Sequence, residues 1–172
     1  MIEKTTKQLV LDFFFDRPSY TPHLRELSRL LRLSMPTILA TTSSLAKELF
    51  LIKTKGKAIT TLAANRESPL FIRAKRIANL ERMYQSGLVD RLSKSYGNPK
   101  AIILFGSFSR GEDAESSDID IAVLTHKRQN ENLTSYEKYF RRRISLHEVD
   151  SSMVSKDFLT NLYNGIILEG SW

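Results

Sequence analysis

Apolar residues at helical spacing predict three short helices in the first 50 residues of the chain. The first prediction covers residues 3–15. Thr21 is the expected cap of a second helix that begins at Pro22, and Ser34 is the expected cap of a third. Two short helices joined by a tight turn are typical of a helix-turn-helix unit. The apolar faces expected for the three helices are Leu9, Val10, Phe13 and Phe14; Leu24, Leu27, Leu30 and Leu31; and Ile38, Thr42, Leu45 and Leu49.

The hydrophobic pattern changes after residue 50. Residues 51–54 and 58–62 are rich in β-formers and flank Lys55-Gly56-Lys57, which predicts a hairpin with a basic tip. Helical patterns return over residues 68–86 and 88–96. We therefore divide the chain into an N-terminal domain at 1–66, a helical linker at 67–97 and a C-terminal domain at 98–172. The expected buried face of the longer linker helix is Leu70, Ile77, Leu80 and Tyr84.

Three strands are predicted in the C-terminal domain. Residues 101–105 form a continuous apolar run, which is typical of a strand covered on both faces. From Asp118 to Ile121, acidic and apolar residues alternate, so the two aspartates project from one face of a strand and the two isoleucines from the other. Residues 143–150 predict the third strand.

The two aspartates, Asp118 and Asp120, suggest a cation site. Carboxylates a pleat apart repel each other unless a cation lies between them, and Mg²⁺ (or Mn²⁺) favours a pair of carboxylates with waters and phosphates. Upstream, Gly106 lets the backbone approach a ligand closely, Ser107 offers a hydroxyl and Arg110 a permanent positive charge. This combination predicts metal-assisted transfer of a phosphoryl or nucleotidyl group from a triphosphate.

Composition and charge narrow the classes of function. With no cysteine in 172 residues, the chain has no disulfides, thiolate nucleophiles or cysteine zinc sites. No apolar run approaches the ~20 residues that span a bilayer, and no signal peptide is recognised, so we expect a cytoplasmic protein without membrane contact. The net charge of +7 is uneven. Residues 1–66 carry 11 Lys/Arg against 5 Asp/Glu, whereas residues 99–172 carry 9 against 11. The basic N-terminal part suits binding of a polyanion such as DNA or RNA, and the acidic C-terminal part suits binding of a cation.

The stretch "ILFGSFSRGEDAESSDIDIAV" carries a resemblance to a known family. Gly106-Ser107, ten intervening residues and Asp118-Ile119-Asp120 resemble the signature of minimal nucleotidyltransferases of the DNA polymerase β-like superfamily, archaeal members in particular. The resemblance implies an α+β fold with a small mixed sheet flanked by helices. It also implies Mg²⁺ on Asp118 and Asp120, and the phosphates of an NTP, with ATP preferred, on Gly106 and Ser107.

A third carboxylate usually completes the acidic set of that superfamily. The register that best matches it puts Ser145 at this position, so Glu148 and Asp150 remain as candidates. Glu148 would point to the opposite face of a regular strand unless a bulge re-aims it, and Asp150 lies near the strand's end. We include Glu148 with Asp118 and Asp120 in the predicted catalytic set.

Residues 1–66 resemble a winged helix-turn-helix domain of archaeal and bacterial regulators. The likeness rests on "HLRELSRLLRLSMPTILATTSSLAKELFLIK" and the lysine-tipped hairpin. It implies DNA contacts from Thr37, Thr41 and Ser44 on the third helix, and from Lys53, Lys55 and Lys57 on the hairpin, or wing. The exposed helix positions offer no Arg, Asn or Gln for bidentate base readout. A helical module that dimerises or binds protein is the alternative.

Two hypotheses about function follow from the sequence. The first is a Mg²⁺-dependent nucleotidyltransferase coupled to a DNA-binding winged helix, with an acceptor that the residues do not name; adenylylation of a partner toxin protein is one such activity. The second is a non-enzymatic DNA-binding regulator whose transferase-like domain senses nucleotide or binds a partner, as an antitoxin would. Ser145 favours the second, and the intact Asp118/Asp120 pair opposes it. A homodimer fits either hypothesis, because winged-helix regulators commonly present two half-sites.

Overall fold

The computed structural model describes residues 4–150 and 156–172 and has two compact units, Met1–Lys75 and Arg76–Trp172. Each unit has its own core. Among the described residues, no helix combines the length and the apolar character that a bilayer crossing requires.

The N-terminal unit begins with helices α1 (Thr6–Asp16), α2 (Leu24–Leu31) and α3 (Met35–Lys47). The Ser34 cap of α3 is confirmed, because its hydroxyl accepts the Thr37 amide. The predicted Thr21 cap of α2 is wrong: His23 caps the helix instead, with Nδ1 3.1 Å from the Glu26 amide nitrogen. The reason is tertiary, since the Pro22 carbonyl accepts the Leu62 amide and keeps the chain extended up to His23.

The end of α3 also differs from the prediction. The helix ends at Lys47, and Leu49 adopts a positive φ of 63° with 58% of its surface exposed. The Phe50 amide donates to the Leu45 carbonyl, which closes the helix and turns the chain. Leu49 therefore leaves the apolar face that Ile38, Thr42 and Leu45 bury as expected.

The predicted hairpin is confirmed. Strands β1 (Leu51–Lys55) and β2 (Thr60–Ala64) pair antiparallel, with Leu51 opposite Ala64 and Lys55 opposite Thr60. The core that the helices and the hairpin share is fully buried, and it includes Val10, Phe14, Leu27, Ile38, Leu45 and Leu62.

Helix α4 (Pro69–Gln85) crosses the division between the units, and α5 (Leu88–Tyr96) follows it. Most of the buried face predicted for α4 is wrong, because Leu70, Ile77 and Tyr84 are about half exposed or more, and only Leu80 packs against the core. The buried positions instead form an i, i+4 series of Phe71, Lys75, Asn79 and Met83. Two of the four, Lys75 and Asn79, are polar, so the spacing of apolar residues predicts the wrong buried face. In α5, which the sequence pattern assigns to the linker, Leu88, Val89 and Leu92 lie in the core of the C-terminal unit.

The C-terminal unit is built on a four-stranded mixed sheet. Its strands are β3 (Ala101–Phe105), β4 (Ile119–Leu124), β5 (Ile144–Val149) and β6 (Ile166–Gly170), in the order β5-β4-β3-β6. β4 runs parallel to β5, and β3 runs antiparallel to both β4 and β6. The shorter helices are α6 (Gly106–Arg110), α7 (Thr134–Phe140) and α8 (Lys156–Tyr163). The α+β class, with a small mixed sheet and helices, is confirmed.

Side-chain alternation gives this sheet a core on each face. Ile102 and Leu104 of β3 and Ile119 of β4 belong to the larger core, which α5 covers. Ile103 and Ala122, on the other face, belong to a smaller core with Leu162 of α8. Asp120, the second residue of β4, lies on this second face and is paired with Phe105, the last residue of β3.

Candidate active site

A sharp turn from β3 into α6 lies against the start of β4. At its centre, Gly106 has a φ of +72°, a conformation that residues with a Cβ rarely adopt. A Cβ at this position would stand 2.2 Å from Oδ2 of Asp120. Glycine is therefore required for two reasons, the left-handed backbone and the close approach of the Asp120 carboxylate.

The two aspartates of the predicted site are both partly exposed at the start of β4. Asp118 immediately precedes the strand, and Asp120 is its second residue. Ile119 and Ile121 are 0% exposed, which confirms the predicted alternation. Burial raises the pKa of Asp120, and the negative charge of Asp118 raises it further, while His147 and Arg110 oppose the shift. The charge of Asp118 therefore disfavours the charged form of Asp120, and a cation bound between the two carboxylates would relieve this repulsion.

The neighbouring strand β5 presents two polar side chains beside Asp120. Ser145 is paired with Asp120 in the parallel register. Nε2 of His147 lies 3.2 Å from Oγ of Ser145 and 3.9 Å from Oδ1 of Asp120. The imidazole packs between Phe105 and Phe158, with ring centroids 5.4 and 5.6 Å away. Sequence reasoning favoured a structural or surface role for His147 over that of a catalytic base. The signal that it lies beside Asp120 was its i+2 spacing from Ser145 on one strand.

Glu148, by contrast, does not reach the aspartates. It is paired with Val123 in the register, and its Oε1 accepts hydrogen bonds from the Tyr96 hydroxyl at 2.7 Å and the Gln129 amide at 2.5 Å. Burial, followed by this hydrogen bond, raises the pKa of Tyr96. The regular parallel register of β5 leaves Glu148 on the face opposite Asp120, because no bulge re-aims it.

Asp150 is equally remote from the acidic pair. β4 and β5 are parallel, so Asp150 follows the C-terminal end of β5 while Asp118 precedes the N-terminal end of β4. Its Oδ2 lies 2.8 Å from Nδ1 of His126. The described residues thus bring neither candidate for the third carboxylate to the site, and Ser145 stands beside Asp120 instead.

The residues predicted to bind phosphates lie on the short helix α6. Ser107 is partly exposed, and within residues 4–150 and 156–172 its hydroxyl has no hydrogen-bond partner. Arg110 is exposed, and its Nε donates to Glu112 at 2.7 Å. The guanidinium is also close enough to lower the pKa of Asp120. Gly106 and Arg110 therefore lie near Asp120, and Ser107 directly follows Gly106 in the chain.

Asp118 and Asp120 by themselves give a metal ion only two ligating side chains. In the described part of the chain, no group of three or more His, Asp or Glu side chains is arranged to hold a metal ion. Two partly exposed carboxylates fit a hard cation that keeps waters and takes further oxygen ligands from phosphates. They do not fit a closed structural site such as that of zinc.

The residues predicted to contact DNA lie in the N-terminal unit. Thr37 and Thr41 of α3 are partly exposed, and Ser44 is exposed with its hydroxyl bonded to Glu48. Lys53 of β1 reaches α3, where its Nζ donates to Ser43 at 3.0 Å. The other two lysines, Lys55 and Lys57, are exposed at the hairpin tip, and neither makes an ion pair with any described residue.

Comparison with known proteins bears on the C-terminal unit. No curated protein matches the chain, and no solved structure matches it either. A family model described as Polymerase beta, Nucleotidyltransferase matches residues 89–168. The matched segment runs from α5 into β6 and contains the Gly106 turn, both aspartates and the β5 residues beside them. Residues 89–168 are thereby supported as a nucleotidyltransferase domain of the polymerase β type.

Proposed function

We propose that the C-terminal unit is a Mg²⁺-dependent nucleotidyltransferase that uses an NTP, with ATP preferred. One observation carries this proposal: within the segment that matches the family, the Gly106 turn lies directly against the Asp120 carboxylate. A triphosphate bound at this turn would have its phosphates beside both aspartates. Mn²⁺ has the same preference for oxygen ligands and is expected to substitute.

The donor set fits this cation. Asp118 and Asp120 would hold the ion, since they are adjacent, partly exposed and mutually repulsive without a counter-charge. When bound, the divalent ion neutralises the triphosphate and stabilises charge on the attacking and leaving oxygens.

Other side chains would bind the nucleotide and orient it. The Ser107 hydroxyl is available as a donor and Arg110 supplies a positive charge, while the Gly106 turn lies against the Asp120 carboxylate. In the transfer, an acceptor oxygen bonds to the α-phosphorus while the bond to the bridging oxygen breaks. Pyrophosphate leaves, and the proton of the acceptor hydroxyl passes to water. Ser145 stands where a third carboxylate would accept that proton, so we expect nucleotide binding to be strong relative to the rate of transfer.

The test separates binding from transfer. Calorimetry with ATP is expected to show uptake in Mg²⁺ or Mn²⁺ and none in EDTA. Incubation with ATP labelled at the α-phosphate is expected to leave label on an acceptor, and a co-encoded partner protein such as a toxin is the first acceptor to try. Uptake without any transfer would favour the nucleotide-sensing regulator or antitoxin, and absence of uptake with either metal would contradict both.

Glu148→Gln tests whether Glu148 acts in catalysis together with Asp118 and Asp120. Because Glu148 bonds to Tyr96 and Gln129, the substitution is expected to lower the free energy of unfolding by about 1 kcal/mol through loss of charge-assisted hydrogen bonds. Transfer should stay within about twofold of the unmodified protein, measured at a temperature where both are folded. A large loss of transfer with an unchanged denaturation curve would return Glu148 to the catalytic set.

A second candidate function concerns the N-terminal unit. We propose that it is a winged helix-turn-helix domain that binds DNA, with the β1–β2 hairpin as the wing. The succession of α2, α3 and a hairpin supports this proposal, as do two lysines at the hairpin tip that pair with none of the residues described. Thr37, Thr41 and Ser44 would reach phosphates, as would Lys53, so binding is expected to depend weakly on sequence. Dimerisation through this unit would give two half-sites.

Lys55→Glu with Lys57→Glu tests the wing. If both lysines contact phosphates, the double variant is expected to bind duplex DNA more weakly and to reduce the slope of log affinity against log salt by about 1.8, or ~0.9 per contact. Fluorescence anisotropy over a salt series measures this slope. Lys94→Glu with Lys138→Glu, at exposed lysines of α5 and α7, changes the net charge equally and is the matched control. An unchanged slope in the hairpin variant would remove the wing from the interface.

A further inference from the structure

A cluster of three polar side chains is buried beneath the loop that leads into β4. Asp113 lies in that loop and is 1% exposed, Arg142 precedes β5 and is 8% exposed, and Asn79 of α4 is 2% exposed. All three belong to the C-terminal unit. Charged residues are rarely this buried unless they are paired, so the contacts of the cluster explain its presence.

The cluster joins the loop to the elements on both sides of it. Oδ2 of Asp113 lies 2.9 Å from a guanidinium nitrogen of Arg142. Nδ2 of Asn79 donates to Oδ1 of Asp113 at 2.8 Å and to the Phe108 carbonyl at 2.9 Å. Asp113 is therefore attached to α4 and to the segment before β5, while α6 is attached through Phe108.

Arg142 also holds the loop backbone next to Asp118. Its Nη1 donates to the Ala114 carbonyl, and it lies 3.4 Å from the carbonyl of Ser117. On the other side of Asp118, the Ile119 amide donates to the Arg143 carbonyl at 2.9 Å. Both neighbours of Asp118 in the chain are thus bound to the 142–143 segment.

A buried ion pair adds little net stability to a fold. Desolvation of the two charges offsets much of their attraction, and apolar residues of similar volume are often equally stabilising. The Asp113–Arg142 pair instead fixes the geometry of the loop, because a planar guanidinium donates its hydrogen bonds in fixed directions. The acceptors here are one carboxylate and two loop carbonyls.

We propose that Asp113 and Arg142 are positioning residues for the metal site. They hold Asp118 at the place where its carboxylate and that of Asp120 can share one divalent cation. Asn79 fixes the orientation of the Asp113 carboxylate. This inference rests on the proposed function, because it assumes that Asp118 and Asp120 bind the metal.

The decisive variant is Asp113→Leu combined with Arg142→Met. It replaces the buried pair with apolar side chains, so the protein is expected to remain folded, with a similar melting temperature in EDTA. The loop loses its guanidinium anchor, and the affinity for Mn²⁺, measured by calorimetry with and without ATP, is expected to fall by about 10- to 100-fold, as when outer partners of metal ligands are removed. Arg91→Met, which removes an ion pair with Glu131 elsewhere, is the control and should bind Mn²⁺ normally.

The outcomes separate the two proposals. If the unmodified protein takes up neither metal nor nucleotide, the proposed function fails and the positioning role fails with it. If the unmodified protein binds both and the folded double variant binds them equally well, only the positioning role is overturned. If the double variant does not fold, Arg142→Lys is tested in its place. Lysine keeps the positive charge but lacks the planar guanidinium that bonds several acceptors at once. Normal Mn²⁺ affinity in this variant would overturn the proposal.

Discussion

Asp120→Asn is expected to reduce metal-dependent nucleotide transfer by about 10²–10³-fold, the scale at which removal of one electrostatic stabiliser slows an enzyme. Asp118→Asn should have an effect of the same order, because the proposed cation needs both carboxylates. The measurement is transfer of α-phosphate label at saturating Mg²⁺, with calorimetry to follow nucleotide uptake. Asp90→Asn, which alters an exposed carboxylate of α5, is the matched control.

Loss of activity in Asp120→Asn should not come from unfolding. Burial raises the pKa of Asp120, so above its ordinary pKa the charged form opposes folding, and this penalty disappears as protonation neutralises the group. A neutral asparagine removes the same penalty at neutral pH. The melting temperature of Asp120→Asn, measured in EDTA, is therefore expected to equal or exceed that of the unmodified protein. A folded variant with full transfer would exclude Asp120 from the catalytic set.

Gly106→Ala should destabilise the protein more than Gly87→Ala does. The two glycines have nearly the same φ, +72° and +73°, and an alanine in this region costs about 1–2 kcal/mol at either site. At Gly87 an added Cβ meets nothing within 4 Å, whereas at Gly106 it meets Oδ2 of Asp120 at 2.2 Å. The difference between the variants therefore isolates the contact with Asp120, and we expect it to be about 1–3 kcal/mol.

The Gly106 variant also has a functional consequence. Because the Cβ would displace Asp120, nucleotide uptake in Mg²⁺ is expected to be lost at concentrations where Gly87→Ala binds normally. Urea denaturation measures the first effect and calorimetry the second. Equal destabilisation of the two variants, together with normal uptake by both, would mean that the turn and the carboxylate do not act together.

The enzyme and the regulator hypotheses differ in what they expect from the β5 side of the site. Ser145 and His147 are both polar and beside Asp120, but neither is a carboxylate. A protein that only senses nucleotide needs the Gly106 turn and the acidic pair, and it needs no group to take the acceptor proton. Uptake of ATP with no transfer to any acceptor is therefore the result that would favour the regulator.

Much of the fold could be predicted because local patterns match the periods of helix and strand. The alternation from Asp118 to Ile121 predicts which side chains are buried on β4, and the apolar run at 101–105 predicts β3. The same reasoning identified Ser34 as the cap of α3 and found the β1–β2 hairpin. In each case the interactions that decide the structure lie within a few residues.

The incorrect predictions share a different cause. α2 is capped by His23 because Pro22 bonds to a strand about 40 residues away, and the buried face of α4 contains Asn79 because Phe108 and Asp113 satisfy its amide. A polar residue with distant partners carries no local sign that it is buried. Hydrophobic periodicity therefore assigned α4 the wrong face.

The sequence by itself determined helices α1 to α5, strands β1 to β5, the acidic pair and the glycine turn before it, since these depend on residue type and spacing along the chain. Only the tertiary structure decided what surrounds them. The parallel pairing of β4 with β5 brought His147 to Asp120 and left Glu148 on the opposite face. Folding likewise brought Asp113 and Arg142 together beneath the loop before Asp118. Contacts between residues far apart in the chain depend on strand order and register, which the pattern of single residues does not specify.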